Sequence, residues 1–63
     1  MCLATVYVEE NGERERVMED VAWVVFDDDA IQLVSLLGER KQLKSRIKTI
    51  DLVKGLITVE AEQ

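Results

Sequence analysis

The sequence predicts an all-β fold, a small barrel or rolled antiparallel sheet of about five to seven short strands. Three observations predict it. Apolar residues recur mostly at every second position, the period of a strand. Asn11-Gly12 is the commonest two-residue hairpin signal, because both residues tolerate the positive φ of a type I′ turn. Further turn residues return at regular intervals along the chain, as in a small β domain.

Taken in order, residues 2 to 9 read as the first strand. Cys2, Ala4, Val6 and Val8 share one face, and Leu3, Thr5 and Tyr7 the other. After Asn11-Gly12, the polar run from Glu13 to Met18 reads as the return strand, although Met18, Val21 and Ala22 would also suit a short helix. Residues 21 to 26 are β-branched and aromatic and form a central strand, with Trp23 expected in the core. Asp27, Asp28 and Asp29 make a solvated turn, since their spacing does not match a calcium loop. Residues 30 to 36 return, and Gly38 marks the next turn. Residues 39 to 52 are open to two readings. Leu43, Ile47 and Ile50 have helical spacing, yet Ile47, Thr49 and Ile50 also suit a strand. Lys54-Gly55 turns the chain into a closing strand over residues 56 to 61. Edge strands in so small a sheet need covering, and a second copy of the chain is the simplest cover, so a homodimer is expected.

The 63 residues make one domain, 1–63, with a small core that benefits from a partner. The apolar runs are too short for a membrane span. One cysteine excludes an internal disulfide, and with no signal peptide evident the expected location is cytoplasmic. Thirteen Asp and Glu against eight Lys and Arg give a net charge of −5, which argues against nucleic acid as a partner. The absence of histidine removes Ser-His-Asp and Cys-His catalysis and every His-based metal site, and the chain is not expected to be an enzyme. Arg40, Lys41, Lys44, Arg46 and Lys48 form the one basic segment, either a solvated strand face or a contact for an acidic partner.

Cys2 is the candidate ligand. The Met1 amine, the Cys2 amide nitrogen and the Cys2 thiolate can close two fused five-membered chelate rings. A deprotonated amide suits a square-planar N and S site, hence Ni(II) or Cu(II) rather than Zn(II). A single cysteine at a strand start is more often a small buried hydrophobe, and by residue type alone that simpler reading is favoured.

The opening Met-Cys-Leu-Ala-Thr-Val-Tyr-Val resembles the start of the CooT family, whose members begin Met-Cys-x-Ala. The likeness extends through Asp20-Val21, the apolar strand at 30 to 36, and the ending Ile50-Asp51-Leu52-x-x-Gly55-x-Ile57. The resemblance implies an SH3-like small β fold and a homodimer. It also implies a nickel-binding accessory role for carbon monoxide dehydrogenase, carried by Cys2 with Met1 beside it. The competing reading is a small barrel that binds RNA or a protein and uses no metal.

Overall fold

The computed structural model describes residues 3–61, so the expected ligands Met1 and Cys2 lie outside the described residues. Six strands form one sheet, and the described residues contain no helix. They are β1 (Ala4–Glu10), β2 (Glu13–Phe26), β3 (Ile31–Ser35), β4 (Arg40–Leu43), β5 (Ile47–Asp51) and β6 (Leu56–Glu60). The spatial order is β4-β3-β2-β1-β6-β5. Four of the five pairings are antiparallel, and the fifth, β1 with β6, is parallel. The ambiguous stretch 39–52 is therefore two short strands and not a helix.

The sheet is rolled without closing. A flat sheet would set β4 and β5, its two edges, about 24 Å apart, five spacings of ~4.8 Å. Leu43 and Ile47, which end β4 and begin β5, are only four residue steps apart, a reach of at most ~15 Å. Both pack on the core cluster. The sheet must curl to allow that, yet β4 and β5 do not pair along their length.

The two expected strands at 13–18 and 21–26 are one 14-residue strand, β2. Its register slips three times, twice against β1 and once against β3. Asp20 lies in one slip with φ 54°, a left-handed conformation that Asp tolerates better than most side chains. β-bulges of this kind bend a strand and shift its inward phase. Met18, Val21 and Val24 consequently face the core at a period of three, where strict alternation would have turned Trp23 inward. Trp23 is a correction to the expected core: it is 58% exposed and lies with Val25 on the outer face.

The core consists of Val6, Met18, Val21, Ile31, Leu33, Ile57 and Val59, with Ala4, Val8, Val17, Val24, Leu43 and Ile47 packed around it. Val6, Leu33 and Val59 are fully buried. The alternation expected in β1 holds, since Val6 points inward while Tyr7 lies under the Arg14 guanidinium on the other face, 4.9 Å from the ring centre.

Candidate functional site

One end of the sheet is set by the entry of β1. Ala4 pairs with Val21, and Val21 with Ser35 of β3. On the other side, Thr5 pairs with Leu56, and Leu56 with Asp51 of β5. This row crosses β3, β2, β1, β6 and β5, about 19 Å at the usual strand spacing. The start of β1 is therefore central at this end, with a turn on each side.

The β3–β4 turn is tight. The Ser35 N–H donates to the Glu39 carbonyl at 2.8 Å, the Gly38 N–H to the Ser35 carbonyl at 3.0 Å, and the Glu39 N–H to Ser35 Oγ at 3.0 Å. These bonds satisfy the backbone locally and leave Leu36 and Leu37 outside, 50% and 88% exposed. The β5–β6 turn is built by Asp51, whose Oδ1 accepts from the N–H groups of Val53 (3.1 Å) and Lys54 (3.0 Å). Gly55 closes it at φ 70°. Leu52 and Val53 are thereby presented to solvent at 77% and 98% exposure. The motif Asp51-Leu52-x-x-Gly55 thus encodes a turn that displays apolar side chains.

Gly55 also anchors the chain entering β1. The Thr5 N–H donates to the Gly55 carbonyl at 2.8 Å. A Cβ on Gly55 would lie 3.1 Å from the Leu3 carbonyl oxygen, so the two backbones approach too closely for any larger residue without a shift. Leu3, the residue after Cys2, is held against this turn.

The charged groups nearby do not form a metal cage. Among the described residues, no group of three or more Cys, Asp or Glu could hold an ion. The Asp51 carboxylate is committed to its turn. Asp27–Asp29 form the expected exposed turn after β2. The two ion pairs among the described residues, Arg16–Glu19 and Lys48–Glu9, lie on exposed strand surface. The Lys48 ammonium donates to Glu9 and holds that carboxyl below its ordinary range, and the same contact raises Lys48.

A family described as CO dehydrogenase accessory protein CooT matches residues 1–60. This chain belongs to the CooT family. A crystal structure assigned as CooT from Carboxydothermus hydrogenoformans superimposes with a TM-score of 0.91 at 27% identity, covering 98% of this chain and 100% of that one. No curated protein matches. The CooT assignment makes the chain an accessory protein for CO dehydrogenase, and the matched span includes Met1 and Cys2.

The exposure of Leu36, Leu37, Leu52 and Val53 was not read from the sequence. The available signal was their placement just before Gly38 and Gly55, where a tight turn has no interior to bury them in.

Proposed function

We propose that this CooT protein binds Ni(II) through Cys2 and hands it to CO dehydrogenase during maturation of that enzyme. Nickel is the cargo. The Cys2 thiolate and a nitrogen of the Met1–Cys2 segment supply two donors, and a second copy supplies two more, completing a square-planar set with one ion per homodimer. The observation that carries this reading is the family match, which runs through the Met-Cys start. The apolar turns Leu36-Leu37 and Leu52-Val53 support it, because they flank the entry of β1 and offer a surface that a second copy would bury. Such a surface would bring two β1 entries together.

The test is nickel titration of the wild type and Cys2→Ser, followed by near-ultraviolet absorption from the nickel–thiolate bond. One nickel per two chains is expected, lost in Cys2→Ser. Affinity should fall as pH drops, because the thiol must lose its proton. Two ions per dimer unaffected by Cys2→Ser would overturn the assignment.

A further inference from the structure

We propose that the free edge of β4 is a docking site for an extended acidic strand of a partner protein, added to the sheet by backbone pairing. The segment from Arg40 to Arg46 holds four of the chain's eight Lys and Arg and none of its thirteen acids. Neither ion pair among the described residues uses it. Lys48, its sequence neighbour on β5, is engaged with Glu9 of β1 and stands apart. Among the described residues, β4 lies at the end of the strand order and pairs only with β3, so its second row of backbone groups is open to an incoming strand.

Charge complementarity names the occupant. A second β4 would bring two basic segments side by side with no acid on either to offset them, which is unfavourable. The β5 edge of another copy carries Lys48, with Arg46 just before it, and so offers cations where β4 calls for acids. An acidic strand meets neither objection. The register of β4 specifies what that strand should look like. Arg40 pairs with Val34 and lies on the outer face, while Lys41 pairs with Leu33 and lies on the inner one. The incoming strand therefore needs carboxylates at two adjacent positions, one for each face. Two positions beyond Lys41, Leu43 packs against the core and asks for an apolar neighbour. Beside the edge, the outer-face rows Trp23–Val34–Arg40 and Val25–Gln32–Gln42 carry exposed Trp23 and Val25, apolar surface for the body of a partner to cover.

This reading does not rest on nickel, and its test is run without added metal. The probe is an acetylated, amidated peptide, Thr-Val-Thr-Glu-Glu-Val-Thr-Val, titrated into the full chain at low and high salt. Amide exchange and the fluorescence of Trp23, the chain's one tryptophan, are followed. Binding is expected with new protection of β4 amides. It should weaken roughly tenfold between low and high salt, and by at least ~tenfold in Arg40→Glu/Lys41→Glu. The salt arm uses wild type alone, so it stands even if that variant folds poorly. Equal binding of the peptide with Lys in place of Glu would overturn the proposal. So would binding without β4 protection, tighter binding of an oligothymidylate, or no peptide binding at millimolar concentration.

Discussion

Gly55 is the position where one atom has the most to disturb. Its φ of 70° strains any L side chain, and its missing Cβ leaves room for the Leu3 carbonyl. Gly38 has φ 96°, but a Cβ added there would meet nothing within 4 Å. Gly38→Ala should therefore cost only the backbone term, about 1 kcal/mol, and Gly55→Ala about 2 kcal/mol or more; chemical denaturation of the pair measures the difference. Leu33→Ala, which empties a fully buried core position, should cost about 3 kcal/mol. A domain of this size has roughly 3–9 kcal/mol in total, so that variant should lie near its unfolding threshold at 25 °C. Glu9 offers a residue-scale pH test. Its folded pKa is lowered by the Lys48 hydrogen bond and charge, so its stabilisation is present above the unfolded value and is lost as pH falls through the folded one. The raised Lys48 acts oppositely, stabilising below its unfolded value and losing that as pH rises through the folded one. Both groups are solvent-facing, so the effect on stability is small and salt-sensitive. In Lys48→Ala, the Glu9 carboxyl should titrate higher than in the wild type by NMR.

Among the elements, β2 shows most clearly what could and could not be read from the sequence. The turn at Asn11-Gly12, the apolar run to Phe26 and the Asp27–Asp29 turn were all legible, because each depends on neighbouring residues. The inward phase of β2 was not. It depends on bulges, which are set by pairing with β1 and β3 rather than by local propensity, and Trp23 was expected inside for that reason. The parallel β1–β6 pairing was hidden for the same reason, since it joins the two ends of the fold. Alternation in β1 was read correctly because the extra residues of both slips lie on β2, so β1 itself keeps Ala4, Val6 and Val8 toward the core. Asp20 tests the bulge directly. Asp20→Gly should be neutral or stabilising, since glycine accepts φ 54° freely, whereas Asp20→Val should cost about 1–2 kcal/mol. Thermal melts of the two variants should move in opposite directions or differ by several degrees.

At the scale of the molecule, the apolar turns beside the β1 entry should decide assembly. Leu37 and Val53 are 88% and 98% exposed, so charging them costs the isolated chain little. Leu37→Glu/Val53→Glu is expected to leave the fold intact and to weaken self-association at least ~tenfold, read by light scattering against concentration. Unchanged association would place the dimer surface elsewhere. The proposed metal ligand, Cys2, rests on residue type and position alone. The apolar collar around the β1 entry became visible only when the register brought turns distant from each other in sequence to the same end of the sheet.

The parallel pairing of β1 with β6 also sets an order of events during synthesis. Leu3 and Thr5 are made early, but their partner Gly55 emerges about fifty residues later, after roughly 3–10 s of translation at usual rates. Until then the segment following Cys2 has only β2 to pair with and lacks its support from the Gly55 turn. Hairpins formed by β1 with β2, and β2 with β3, can assemble first, because their partners are close in sequence. The proposed cargo site would be made well before the Gly55 turn against which the segment after it lies. A nascent chain would then carry its thiol without the geometry to use it, and metal capture would begin only once the Gly55 turn has formed.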